Sequence, residues 1–385
     1  MKKTAEHVQE FFQSEKAGGI VLIGCTLASL ILANSGIGSL YREFWHGKIA
    51  GMSLEHWIND GLMAVFFFFV GLELKREIVA GELSDLKKAS LAVVAALGGM
   101  IVPAFVYSLF NFGTDTQSGA GIPMATDIVF AIGILSLLGS RMPSSLTVLL
   151  TALAVIDDLG AIVVIAVFYS SGLSWIYLGA ALVVFTALLV IGRFRGTSPV
   201  PHVIGGLLLW YCMLNSGIHA TIAGVLLALA VPFGDGSAQS LSHRFEHWLD
   251  RPVSFLILPV FALANTAIAL SADIGSSLLS ASSLGIITGL WAGKPVGIVL
   301  FAFLGVKLGI SRLPHPLTFL HIGGMGFLGG IGFTMSMFIT LLAFAGPGLI
   351  AESKIAILVS SLLAGVTGYA WLRLLSSSRA SHAED

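Results

Sequence analysis

The sequence predicts an all-α membrane protein of about twelve transmembrane helices, and three observations carry that prediction. Of its 385 residues, 56% are hydrophobic and only 11% charged, with a mean hydropathy of +0.93. A soluble domain carries about 25% charged residues, so this chain lacks the side chains to cover a water-facing surface. Apolar runs of the ~20 residues needed to cross a bilayer recur along its whole length. The polar connections are short, the longest at about 234–251, so residues 1–385 read as a single integral membrane domain.

The elements follow in order. The opening "MKKTAEHVQEFFQSEK" is polar and amphipathic. Its apolar run starts only near Ala17, which argues for an in-plane helix rather than a signal peptide. The spans then read 17–36, 57–79, 89–110, 120–139, 145–169, 174–193, 201–215, 218–233, 253–270, 284–305, 320–344 and 351–373. The seventh and eighth are short and separated only by "NSG". The 45 glycines suit helices that pack closely or break where backbone lines a cavity. Cys25 and Cys212 sit in apolar stretches and predict no disulfide. A net charge of −1 points away from nucleic acid. Nearly all of the 20 Lys and Arg fall on one side of this topology. The other side holds only Arg42, Lys48 and Lys354, and Lys294 lies in mid-span. Lys and Arg concentrate in the cytoplasm, which places both termini there.

Two spans are interrupted. The fourth opens "GAGIPMATDIVFAIGIL", with Gly121 and Pro123 ahead of Thr126 and Asp127; the eleventh reads "HIGGMGFLGGIGFTMSMFI". Broken spans in corresponding halves point to a transport site. Laying Thr126 on Thr334 also pairs Phe130 with Phe338. Spans 3–5 and 10–12, about 89–169 and 284–373, then form two three-helix repeats. With an odd number of spans in each and four spans between them, the repeats have opposite topologies.

The charged residues inside the spans carry the chemistry. In "TALAVIDDLGAIVVIAV", Asp157 and Asp158 have about ten apolar residues on either side, roughly 15 Å of helix. Insertion costs ~3 kcal/mol per mid-span Asp. A loop would require two short pieces, and no proline is present to separate them. Asp127 is placed to cap the half-helix that follows the break. Lys294, in "GLWAGKPVGIVLFAFLG", is too deep to snorkel easily and needs an acidic partner or helix C-termini. Pro295 disfavours helical geometry at Lys294 and removes one backbone hydrogen bond. His219 in "NSGIHATIAGV" reads equally well as a packing residue. Glu73, Arg76 and Glu77 read as an ordinary solvated helix end.

Two carboxylates in a glycine-lined cavity make a hard oxygen site suited to Na+ or Li+. Burial and like charge both favour the protonated form of a carboxyl, so protons and a cation compete for the same oxygens. That competition suffices for antiport and requires no cofactor. Intramembrane aspartyl proteolysis needs aspartates on two helices, one in a Gly-x-Gly-Asp turn; the nearest match, "PFGDG" at 232–236, lies outside the spans. A passive channel needs several polar spans or rings of charge, whereas this chain concentrates its charge in one place.

Here the residues carry a resemblance. "TALAVIDDLGAI", "PMATDIVFAIGIL", "GKPVGI", "FFVGLELKRE", "SGIHATIAG" and "GGIGFTMSMFI" resemble the bacterial NhaA-type sodium/proton antiporters over about residues 17–375. That family is itself an example of the inverted-repeat transporter. The resemblance implies spans 4 and 11 crossing near mid-membrane, and Asp157 and Asp158 as the cation and proton site. It implies Asp127 and Lys294, beside Thr126, as compensators of half-helix dipoles, with Lys294 pairing with Asp157 in the cation-free state. It further implies one Na+ (or Li+) exchanged for two protons across the bacterial inner membrane, electrogenic and activated at alkaline pH. Glu73, Arg76, Glu77, His219, Glu246 and His247 would serve the pH response. Two departures stand out. "FGDGSAQSLSHRFEHWLDRP" is less basic than the family pattern, with His243 and Asp250 where Lys and His are expected. "FWHGKIAGMSLEHW", where a homodimer hairpin is implied, is short, although Gly47 and Gly51 permit a turn.

Overall fold

The computed structural model describes residues 15–170, 172–194, 198–234, 236–237, 239–270 and 274–381. The amphipathic opening segment lies outside these. The described chain is almost wholly helical. In order it forms α1 (Glu15–Ala33), α2 (Gly38–His46), strands β1 (Lys48–Ile49) and β2 (Met52–Ser53), α3 (Met63–Val79) and α4 (Leu86–Asn111). A 3-10 segment (Gln117–Met124) leads to α5 (Ile128–Leu137), followed by α6 (Ser144–Phe168), α7 (Trp175–Phe194), α8 (Val200–Leu214), α9 (Ile222–Ala230), α10 (Leu241–Pro252) and α11 (Leu258–Asn265). Then come α12 (Ala281–Thr288), α13 (Lys294–Lys307), α14 (Phe319–Gly329), α15 (Phe333–Ala343) and α16 (Pro347–Ser381).

Among the described residues, six helical stretches are long and apolar enough to cross a membrane, and up to eight if each of two bent pairs counts as one span. The chain is thus a multi-pass membrane protein. The expected eighth and ninth spans are shorter than the sequence suggests, their helices ending at Ala230 and Asn265, whereas the seventh matches α8 in length. π-helical turns at Trp57–Leu62 and Val253–Ile257 are built into the second and ninth, and the second still runs on to Val79.

Contacts divide the chain into two compact units. One takes the described residues within 1–30, 85–161 and 268–385; the other takes those within 31–84 and 162–267. In the first, α4 packs on α13 through glycines. A Cβ at Gly98 or Gly297 would collide with the other's backbone, so only glycine permits this approach. In the second, α3 packs on α9, with Gly71 and Gly224 at the closest points. The second unit also holds the hairpin, pairing Lys48 with Ser53 and Ile49 with Met52. Its turn residues Ala50 (φ 52°) and Gly51 (φ 89°) are both left-handed, as a two-residue type I′ connection requires.

Lys294 corrects one expectation. It is helical, with φ −66° and ψ −51°. The preceding residues Gly289–Gly293 form a π-helical turn, and the Lys294 N–H reaches back five residues to Gly289 O. The wider turn accommodates the Pro295 ring that would otherwise press on the preceding carbonyl, so the helix runs on through the proline.

Candidate functional site

All five residues assigned to the membrane site fall in the first unit and meet at one point. The fourth span breaks as expected: its 3-10 segment ends at Met124, Ala125 is extended, and α5 begins at Ile128. The eleventh breaks between α14 and α15 with a bend of 51°. The two breaks are joined directly, the Asp127 N–H donating to Ile331 O at 2.6 Å.

Broken helices leave unpaired N–H groups at one end and unpaired carbonyls at the other. Here each end has a partner. Asp127 caps two half-helices at once. Its Oδ1 accepts from Phe130 N at 3.1 Å, opening α5. Its Oδ2 accepts from Thr334 N at 3.1 Å and Thr334 Oγ1 at 2.5 Å, near the start of α15. A carboxylate suits the positive end of a helix dipole. Phe333 N finds Ser361 Oγ at 3.2 Å. On the carbonyl side, Lys294 Nζ donates to Met124 O, Ser336 Oγ to Ile122 O at 2.7 Å, and Thr126 Oγ1 lies 2.9 Å from Gly329 O.

Asp157 lies beside this crossing. Helix α6 runs unbroken from Ser144 to Phe168, so both aspartates are within a continuous helix and not in a loop. Asp157 and Lys294 are fully buried and Asp158 is 2% exposed. Lys294 Nζ is 2.8 Å from Asp157 Oδ2, and Thr126 Oγ1 is 2.7 Å from the same oxygen. Thr126 has one hydroxyl proton, so it donates either to Asp157 or to Gly329 O. Asp157 Oδ1 has no hydrogen-bond partner. Asp158, the next residue in the helix, contributes to the field at Lys294.

The residues assigned to a pH response lie in the second unit and form two groups. Arg76 pairs with Glu77 at 3.1 Å and with Glu246 on α10 at 3.0 Å. Glu73 shares the field of Arg76, Glu77, Glu246 and Asp250. Arg76, Glu77, His243 and Glu246 help line a cavity of about 420 Å3. Burial pushes the Glu246 carboxyl above the ordinary carboxylate range; Arg76 and then His243 oppose the rise, and Glu77 and Asp250 add to it. The solvated-end reading of Arg76 and Glu77 therefore gives way to a charge cluster. His247 is exposed and takes no part in these ion pairs. His219 belongs elsewhere: its Nε2 is 3.5 Å from Asp60 Oδ1, and His56 Nε2 is 2.9 Å from Asp60 Oδ2. Asp60 and Arg76 are sixteen residues apart in sequence, roughly 24 Å along a helix.

Sequence reasoning missed Ser336 and Ser361 as partners of the broken backbone, and Thr334 as a hydroxyl donor to the Asp127 carboxylate. The available signal was a pair of hydroxyls immediately after the glycine run of "GGIGFTMSMF".

Residues 9–372 match the family described as Na+/H+ antiporter 1. The chain is 57% identical to the Na+/H+ antiporter NhaA of Flavobacterium psychrophilum, covering 94% of each chain. It is 54% identical to NhaA 1 of Flavobacterium johnsoniae, covering 97% of this chain and 98% of the relative. It is 56% identical to NhaA of Dechloromonas aromatica, covering 96% of each.

Proposed function

The chain belongs to the Na+/H+ antiporter 1 family, and from that membership we propose that it exchanges cytoplasmic Na+ or Li+ for external protons at Asp157 and Asp158. The observation that carries this reading is the buried Asp157–Lys294 pair at 2.8 Å, set beside Asp158 and against the junction of two broken spans. A buried ammonium on a carboxylate is a built-in stand-in for a cation. Na+ arriving at the carboxylates takes over the charge that Lys294 supplies, and protons reverse the exchange by neutralising the carboxylates. Na+ and Li+ are both hard cations that suit this oxygen set. Exchange of two protons for one Na+ moves one net charge per cycle, which the membrane potential then drives at ~2.3 kcal/mol per 100 mV.

We further assign twelve spans with inverted repeats at about 89–169 and 284–373, both termini cytoplasmic, in a bacterial inner membrane. The paired breaks, each with its own polar partners, support the repeat. The Arg76–Glu246 cluster supports activation at alkaline pH, since Glu246 reaches its full charge only above the ordinary carboxylate range. The short hairpin supports a homodimer formed through its edge. The deciding experiment is purified protein in liposomes with a pH-sensitive dye inside. Na+ or Li+ added outside should release protons in wild type and not in Asp158→Asn. Proton release by that variant at the wild-type rate overturns the site.

A further inference from the structure

The crossing has an apolar flank with an opening of its own. A cavity of about 450 Å3 lies there, lined by Leu27, Phe130, Ile134, Phe333, Leu362 and Val366 among others. Two of its polar groups are engaged: Thr26 Oγ1 donates to Leu22 O at 2.8 Å, and Ser361 Oγ accepts from Phe333 N. A site walled this way holds no water well. Leu27 is 55% exposed and Leu362 68%. The cavity therefore opens sideways, onto the surface that membrane-spanning helices turn towards lipid.

Its dimensions select the occupant. An apolar cavity of ~150 Å3 takes benzene, with six carbons; three times that volume suits about eighteen carbons. The lining positions on α16 run from Leu358 to Tyr369, roughly 17 Å of helix. Spread over that length, the volume leaves a cross-section of about 27 Å2, against about 80 Å2 for a helix 10 Å across. A helix from another copy does not fit, whereas one extended hydrocarbon chain does.

One end of the slot is basic. Helices α5 and α16 run in the same direction along it. Phe130 meets Phe333 edge to face at 4.8 Å, Phe333 is bonded to Ser361, and Ile134 lies against Gly365. Leu137 and Tyr369, both in the lining, therefore mark the same end. The Arg373 guanidinium lies over the Tyr369 ring at 6.0 Å, and the exposed Arg141 follows Leu137 by four residues. Arginine is suited to phosphate.

We propose that this slot binds one acyl chain of an anionic phospholipid, with its phosphate held by Arg373 and Arg141. The chain would lie on Phe130, Ile331 and Phe333. Ile331 O is the acceptor that joins the two breaks, so occupancy would bear directly on the crossing.

The test uses full-length protein in phosphatidylcholine nanodiscs doped with phosphatidylglycerol carrying a diazirine near its tail end. Labelled peptides are then mapped. The expected result is saturable labelling at Leu27, Ile134 and Leu362, displaced far better by unlabelled phosphatidylglycerol than by phosphatidylcholine. Leu362→Trp, which fills the slot, should lower that labelling about tenfold or more, the loss of at least 1.4 kcal/mol. Labelling at Val183 and Leu207, exposed apolar residues elsewhere, should not change. Arg141→Gln with Arg373→Gln should erase the headgroup preference and leave tail labelling in place. Non-saturable labelling spread evenly over exposed apolar residues of wild type overturns the site. Equal competition by phosphatidylcholine overturns the anionic headgroup. Both readings need only wild type, so neither depends on a variant folding, and neither depends on ion exchange.

Discussion

Removing the Lys294 charge is the sharpest perturbation the structure offers. Its ammonium contacts Asp157 Oδ2 and Met124 O, and both Lys294 and Asp157 are fully buried. Deleting one partner of a buried ion pair costs ~3–5 kcal/mol in soluble proteins, because the other charge is left uncompensated. Lys294→Met keeps most of the stem volume and isolates that effect. At about 1.2 °C per kcal/mol for a chain of 385 residues, the melting temperature should fall by ~4–6 °C. Lys294→Ala also removes about three buried methylenes, at ~0.8 kcal/mol each, and should melt ~3 °C lower again. A protonated Asp157 needs no counter-charge, so the deficit of Lys294→Met should shrink as pH falls and grow as it rises. For the same reason protons compete better with Na+ in both variants. The apparent Na+ constant should rise near neutral pH and partly recover in alkali. The assay is melting temperature and apparent Na+ constant for wild type, Lys294→Met, Lys294→Ala and Lys294→Arg across about pH 6.5 to 9. If methionine and alanine match wild type in both quantities throughout, Lys294 is not a charge compensator and the argument fails.

Four further outcomes follow from the same geometry. Asp157→Asn should leave a folded protein whose ratio of protons to Na+ is altered, read from the reversal potential in liposomes; an unchanged ratio removes Asp157 from the coupling. An imposed potassium-valinomycin potential should change the exchange rate, and a rate indifferent to potential would mean electroneutral exchange. Thr334→Val takes a hydroxyl donor from the Asp127 carboxylate; at ~1.5–3 kcal/mol for a bond to a charged group, it should lower the melting temperature by ~2–4 °C, with Thr334→Ser recovering most of it. Arg76 opposes the upward push of burial on Glu246, so Arg76→Gln should move the activation midpoint to higher pH and Glu246→Gln should flatten the profile. The stability linked to Glu246 is present below the ordinary carboxylate range, where the group is protonated in both folded and unfolded states. It is lost as pH rises through the raised folded value, and a denaturation series over pH reads that slope directly.

What was legible in the sequence was mostly what the bilayer makes expensive. Asp157 and Asp158 stood out because long apolar flanks without proline left no loop to hold them, and α6 is unbroken there. The breaks were legible through Pro123 and the glycine run at 323–332. The partners of the breaks were not: Thr334 and Ser336 are residues that any membrane helix can carry, and their hydroxyls often bond their own helix. Only the approach of the two breaks, through the Asp127–Ile331 hydrogen bond, gives them acceptors on another span, the Asp127 carboxylate for Thr334 and Ile122 O for Ser336. Pro295 misled locally, because a π-helical turn is a property of five consecutive backbone positions and not of the proline. Span lengths at α9 and α11 were overestimated, since an apolar run does not reveal where a helix is capped.

The electrostatics of the crossing constrain how exchange can proceed. The N–H ends meet Asp127 and Ser361, whereas the carbonyl ends meet Lys294, Thr126 and Ser336. Lys294 serves two acceptors, a carbonyl end and Asp157. Under the proposed exchange, a cation that displaces it from Asp157 would leave the ammonium on Met124 O, so the crossing would stay compensated while the carboxylates are occupied. Thr126 has the same freedom, since its single proton can turn from Asp157 to Gly329 O. Cation binding then needs two side-chain shifts of one hydrogen bond each, with no backbone group left unpaired in the membrane. Moving the two broken spans apart would cost several kcal/mol for each orphaned group in an apolar medium. Alternating access at this site is therefore expected to carry the crossing as one piece. A disulfide tying the two breaks together would leave exchange intact under that scheme and abolish it under one in which they separate.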